Sequence, residues 1–320
     1  ARLDRRQLAD IIAANARQTE WWDPWTLLLD EAKKSGGLWL ASSLFNHSCL
    51  GNVCITYGSE AGTGEAQGQA GPEVLVARAA VAVAEGEELC HTYVYPFETV
   101  RERRERLQKV YGFHCSCPRC VLEEPLAAEA GPVADELEVG VAAFGEARRS
   151  GRQGAMVAVV QQLRRALSRA EEAAAALRPP PRGAGTPRGG PEPRELWLSQ
   201  FVWGHHGLAM AAEAVGRFVE AADAFRRCAR LVSVAAPGSG YELKYRMMLA
   251  QCLTRWALSG VEGWSGDDLR AALREAEEAH SRIYGGGGRH FVVRMGRRLE
   301  EVRPALQKSR PPAAPSRKSS

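Results

Sequence analysis

Hydrophobic positions change their period near residue 120, and that change divides the chain. Before it, apolar residues come in short runs of β character: "GLWLASSLF" at 37–45, "NVCITYG" at 52–58, "EVLVARAAVAV" at 73–83 and "EELCHTYVY" at 87–95. Gly-rich segments separate them. The longest, "GSEAGTGEAQGQAG" at 58–71, has no apolar content to bury and reads as a hairpin loop. Beyond residue 120, Ala, Leu, Arg and Glu recur with helical spacing, which predicts helices near 194–213, 217–234, 241–258, 267–284 and 289–307. The expected fold class is α+β: an irregular β domain followed by an all-α domain.

Other stretches refine this picture. Leu3, Leu8, Ile11 and Ile12 share a helical face over 3–17, and Trp21, Trp22 and Trp25 follow around a Pro break as packing residues. At 99–102 "TVRE" is a capping box that opens a helix, with Val100, Leu107, Val110 and Tyr111 on one face and Arg101, Glu105 and Lys109 on the other. Gly112 ends it. Its "RERRER" run reads as a solvated helix face. The Pro and Gly content of 178–194 cannot hold a helix, so that segment is expected as a linker, and 309–320 as a frayed tail. The Gly turn and small residues of 213–232 look like half of a tetratricopeptide repeat, so the helical part is expected to be an array of antiparallel pairs.

Composition narrows the class further. With 45% hydrophobic and 25% charged residues the chain is globular and long enough for about two domains. Its 42 basic and 38 acidic residues nearly cancel, to +4, which gives no electrostatic reason to expect a nucleic-acid footprint. No apolar run has the length of a membrane span, and "ARLDRRQLAD" lacks the layout of a signal peptide. Location in cytoplasm or nucleus is the expectation, with no membrane partner.

Cysteine spacing supplies the candidate chemistry. Of 8 cysteines, Cys115, Cys117 and Cys120 crowd into one turn in "CSCPRC", too close together for a reasonable set of disulfides but suited to a tetrahedral zinc ion. A closed structural site needs a fourth ligand. Cys49, Cys54, Cys90, His114 and His47 are all available, while Cys228 and Cys252 in the helical half read as small buried residues. His205 and His206 are neighbours on a predicted helix, point different ways and form no paired site.

"SLFNHSCLGN", "GEELCHTY" and "YGFHCSCPRC", in this order, resemble the SET-domain protein lysine methyltransferases, in particular the SET-and-MYND group that joins a SET domain to tetratricopeptide-like helices. The resemblance covers about 37–120 well. It implies a helical SET insert at 1–36, a C-terminal SET core with knot-like threading at 37–97, a post-SET helix and zinc turn at 98–122, and an α-helical C-terminal domain at 123–308. By resemblance Cys49 is the fourth zinc ligand beside Cys115, Cys117 and Cys120. It also implies S-adenosyl-L-methionine as cofactor, contacted by Asn46, His47, Ser43, Asn15, Tyr93 and Phe113. Tyr93 and Tyr111 would be the catalytic pair, positioning a lysine of a histone or other protein for N-methylation.

Two departures from the family pattern stand out. Gly51 takes a position where the family has Pro, which is expected to loosen that turn. Nothing in "ARLDRRQLADIIAANARQTE" matches the Gly-rich turn that cradles the cofactor, and no MYND zinc module is present. With Ala1 in place of Met, the expectation is a C-terminal portion of a methyltransferase that acts as a monomer and binds cofactor weakly by itself. The rival expectation is a zinc-stabilised SET-like scaffold whose helical domain binds protein partners; a nucleic-acid-binding zinc protein fits less well, because a second ligand pair is missing.

Overall fold

The structure, a computed structural model, describes residues 4–6, 17–20, 34–37, 40–59, 73–175 and 192–308. Asn15, the tryptophans at 21, 22 and 25, most of the hairpin loop, the linker up to 191 and the tail lie outside the described residues.

Among the described residues, six short strands form three separate two-stranded sheets. β1 (Arg17–Glu20) and β2 (Lys34–Gly37) run antiparallel, with Arg17 opposite Gly37. β3 (Asn46–His47) and β6 (Cys90–His91) are parallel, pairing Asn46 with Cys90 and His47 with His91. β4 (Val53–Ser59) and β5 (Glu73–Ala79) make an antiparallel hairpin that starts with Val53 opposite Ala79.

Two of the expected β runs are corrected. Leu40–Leu44 is a 3₁₀ turn, with Leu44 83% exposed. The adjacent serines at 42 and 43 offer the backbone local hydrogen bonds that compete with a ladder. The 87–95 run pairs only at β6, because the Asn52 side chain takes the neighbouring backbone groups: its Oδ1 accepts from the Cys90 N–H at 2.8 Å and its Nδ2 donates to the Glu88 carbonyl at 2.9 Å. A side chain has replaced a strand partner there.

The helical part follows the sequence closely. α1 (Val100–Tyr111) opens on the capping box, with the Thr99 side chain accepting from the Glu102 N–H, and closes on Gly112 at φ 74°. Only glycine enters that left-handed region without strain. Val110 departs from the expected buried face and is half exposed, while Arg103, expected in solvent, is fully buried. α2 (Pro118–Glu123) and a 3₁₀ turn at Glu124–Leu126 lead into α3 (Ala127–Ser150) and α4 (Gln153–Ala175).

α5 (Pro193–Leu198) begins inside the expected linker, with Pro193 in the first turn where its missing N–H costs nothing. A 3₁₀ turn (Ser199–Phe201) joins it to α6 (Val202–Ala214), and α7 (Phe218–Ala235), α8 (Gly240–Ser259), α9 (Gly266–Tyr284) and α10 (Gly287–Lys308) complete the array. Neighbours in sequence pack against each other from α6 to α10, around one continuous core that includes Trp197, Phe201, Phe225 and Leu243. Close approach is built into the sequence: a Cβ at Gly204 would stand 2.8 Å from Leu137, and one at Gly207 2.7 Å from Val141.

A second, smaller core holds Cys49, Val94, Val100, Leu107, Cys115 and Cys120, so the β part and the array are organised around different centres. They meet at fixed points. Arg78 donates to the Tyr284 carbonyl at 3.2 Å, and Phe97 packs edge-on against Tyr241. Among the described residues, no helix is long and apolar enough to cross a membrane.

Candidate metal centre and the aromatic site beside it

The "HCSCPRC" stretch is held from both ends. α1 stops at Gly112, five residues run without regular structure, and Pro118 starts α2, placing Cys115 and Cys117 before a helix and Cys120 within it. Cys49 arrives from the turn after β3. The four Sγ atoms lie within 4.8 Å of one another, with Cys49 3.5 Å from Cys120 and 4.0 Å from Cys115. A zinc–sulfur distance of about 2.3 Å would put tetrahedral sulfurs about 3.8 Å apart, so the residues fit that ion with side-chain shifts of about an ångström or less. Cys54 and Cys90 stand outside the group, and among the described residues this is the one cluster able to hold a metal.

Protonation tells the same story. Hydrogen bonds from Cys115, Cys120 and Cys49 hold the Cys117 thiol far below its ordinary pKa, as a thiolate. Its neighbours are pushed the other way, Cys49 chiefly by its bonds with Cys115 and Cys117. A dication held by the four sulfurs would keep all four as thiolates.

His47 borders the cluster on one side. Its Nδ1 accepts from the Tyr93 N–H at 3.0 Å, which puts the ring proton on Nε2, and Nε2 faces the Cys49 sulfur at 3.2 Å. Burial pushes the imidazole pKa down to about 4, so the ring is neutral at pH 7. Both ring nitrogens are therefore taken, which leaves the ring faces and the backbone of His47 for other contacts.

Around His47 the chain gathers an aromatic cluster. Tyr93 lies 5.2 Å from the His47 ring, 4.8 Å from His91 and 4.9 Å from Tyr111, while Phe113 is 5.9 Å from His47 and 6.4 Å from Tyr111. The Tyr93 hydroxyl donates to the Phe45 carbonyl at 2.5 Å. Its position is set by backbone, not by solvent.

The remaining expected site residues are placed as follows. Asn46 is exposed and donates to Glu88 at 2.6 Å; Ser43 is half-buried in the 3₁₀ turn. Two residues that matter here carried no site expectation. Asn52, also bonded to Glu87 at 3.0 Å, stitches the "NHSC" turn to the "GEEL" turn, and Gly51 brings their backbones together: a Cβ there would stand 2.9 Å from His91 Cα. Close approach of the two backbones is thus what glycine permits at position 51. Asn in a Gly-flanked turn was the available signal for the first; nothing local marks the second.

Comparison with known proteins gives partial matches. The chain is 37% identical over 89 residues to Histone-lysine N-methyltransferase SET5 of Yarrowia lipolytica, covering 28% of this chain and 18% of that protein. It is 35% identical over 88 residues to Histone-lysine N-methyltransferase SMYD3 of Mus musculus, again 28% of this chain and 18% of the relative. A longer match, 24% identical over 283 residues, covers 78% of this chain and 31% of Protein-lysine N-methyltransferase SMYD4 of Pongo abelii. No family model matches. The chain thus resembles the SET and SET-and-MYND type of lysine methyltransferase over part of its length, and spans less than a third of each of these relatives.

Proposed function

We propose that this chain carries the zinc-bearing and substrate-facing part of an S-adenosyl-L-methionine-dependent protein-lysine N-methyltransferase. The observation that supports this most is the convergence of His47, Tyr93, Tyr111 and Phe113 against the four-cysteine centre, since those residues come from three separated segments. Relatives named as lysine methyltransferases point to the same chemistry.

The cofactor would supply a methyl group on a positively charged sulfur. The donor set fits such a group, because ring faces and the oxygens of Phe45 and Tyr93 favour a cation and offer no competing nucleophile. Tyr93 and Tyr111 would wall a narrow channel that aligns a neutral lysine amine with the methyl and keeps water out. Tyr93 would accept from the amine through its hydroxyl oxygen while that hydroxyl donates to Phe45. Cys49, Cys115, Cys117 and Cys120 would hold the metal in a structural role, joining the segment that carries Tyr111 and Phe113 to the segment that carries His47. Asn46, Ser43 and Asn15 are assigned to cofactor contact, Asn46 and His47 through backbone. The substrate is a lysine of a histone or another protein.

The test is S-adenosylmethionine binding by calorimetry, on this chain and on the longest form of the protein that contains it, with zinc content measured in both. Binding by either, followed by methyl transfer to a protein lysine, is the expected result. Zinc retained with no cofactor binding by either would overturn the enzyme and favour the zinc-braced scaffold.

A further inference from the structure

Arg103, Glu123 and Arg119 form an ion cluster with no exposed side-chain surface, and the reaction proposed above does not use it. Glu123 takes both arginines: Arg103 Nη2 on Oε2, and Arg119 Nε on Oε1 at 2.7 Å. Burying three charges is expensive, and apolar side chains of similar size often serve as well or better. A charged partner in the same interior changes that balance.

The four-cysteine centre is such a partner. Four thiolates with one zinc ion would carry a net charge of −2, and two guanidinium groups with one carboxylate carry +1, so the ion cluster would offset half of the centre's charge. The contacts follow this logic. Arg103 Nη2 also lies 3.9 Å from the Cys120 sulfur, and Arg119 Nη1 donates to the Cys49 carbonyl at 3.2 Å. Next to them Arg104 Nε donates to the Cys115 carbonyl at 3.0 Å. Three of the four cysteines are held by arginines.

The same cluster reaches the helical array. Arg119 Nη2 donates to Ser199 Oγ at 2.9 Å, and one residue further the Gln200 side chain accepts from the Val100 N–H at 3.2 Å. Ser199 and Gln200 are both buried in the turn after α5. One guanidinium therefore touches a cysteine ligand's backbone, the bridging carboxylate and the array.

We infer that Arg103, Glu123 and Arg119 are the outer shell of the metal centre and the pin that seats the helical array on it, so that metal occupancy and docking of α5 form one linked equilibrium. This rests on the assignment of the four cysteines to zinc, and not on methyl transfer. Linkage makes it reciprocal: whatever loosens the seat weakens the metal, and removing the metal loosens the seat by the same factor.

Two measurements test it, neither using activity. Zinc release to a chromogenic chelator is timed in the parent, in Arg103→Met, in Arg103→Lys and in Ser199→Ala, with helix content followed by circular dichroism. Release is expected to be about tenfold faster or more in Arg103→Met, less accelerated in Arg103→Lys, and measurably faster in Ser199→Ala, which alters no ligand. Amide hydrogen exchange across 193–201 in the parent is expected to rise on chelation. Parental release rates in the folded Arg103→Lys and Ser199→Ala proteins, or exchange at 193–201 indifferent to chelation, would overturn the inference while leaving the zinc assignment standing. A parent protein without zinc would overturn that assignment and this inference with it.

Discussion

Arg103 sits in "RERRER", where Arg101 and Glu105 form an exposed pair at 2.8 Å and Arg103 has no exposed surface at all. Composition of the run hides this, but spacing does not: 100, 103 and 107 share a helical face, and Val100 and Leu107 on it are buried. Other single residues carry sharper tests. Tyr93→Phe is expected to depress turnover strongly while leaving the melting temperature near that of the parent, since it removes one hydroxyl from a half-buried ring; equal rates would strip Tyr93 of its role. Gly51→Ala is expected to destabilise the protein by about 1–3 kcal/mol, because its Cβ meets the backbone at His91 and backbone cannot rotate away. A denaturant midpoint unchanged from the parent would show the approach to be less close than this. Cys117→Ser is expected to lose zinc, and full metal content in that variant would rule out the ligand set.

At the scale of elements, the capping box does more than start α1. Thr99 Nα–H donates to Glu102 Oε2 at 2.8 Å, fixing the first turn and with it the direction in which Arg103 enters the interior. Thr99→Ala should cost about 1 kcal/mol in global stability, read from chemical denaturation. The sequence made this element legible because its signals are local: a cap, a period and a glycine. α6 shows what was not legible. It is buried on nearly every side, so His205 is enclosed and His206 largely covered although they point apart, and desolvation pushes each down to about 4. Arg227 lowers His205 further against an opposing pull from Glu171, and Lys244 lowers His206 further. A base depressed in the folded state binds protons more readily when unfolded. Stability is therefore full above about pH 6.5 and is lost as pH falls toward 4, by up to about 3 kcal/mol for each ring. Thermal melts between pH 7 and pH 4 should show this fall, and His206→Phe should flatten part of it; a parent whose melting is flat over that window would contradict the buried neutral assignment.

For the whole molecule, two cores predict two stabilities. The array has its own continuous apolar core, whereas the smaller core around the cysteines contains Cys49, Cys115 and Cys120 as part of its own packing. Chelation should split off a lower thermal transition that belongs to the smaller core, with most helical signal surviving to a higher temperature. A single transition at the parental temperature after complete zinc removal would show that the metal does not hold that core together. The matched relatives bear on chemistry and not on this arrangement, since each is matched over less than a third of its length.

The sequence by itself determined the change of period near residue 120, the ends of α1 and of α7 to α10, and the three-thiol turn, because caps, periodicity and ligand spacing act over a few residues. Residue chemistry left five candidates for the group that closes the thiol cluster; resemblance pointed to Cys49, and it is the fold that carries Cys49 across 66 residues to Cys115. Only the tertiary structure decided that 40–44 would turn and not extend, that Asn52 would stand in for a strand, and that Glu123 and the Cys120 sulfur would meet Arg103 in the interior. Those outcomes depend on which distant groups meet, and a hydrogen bond or an ion pair between segments leaves no period in either of them.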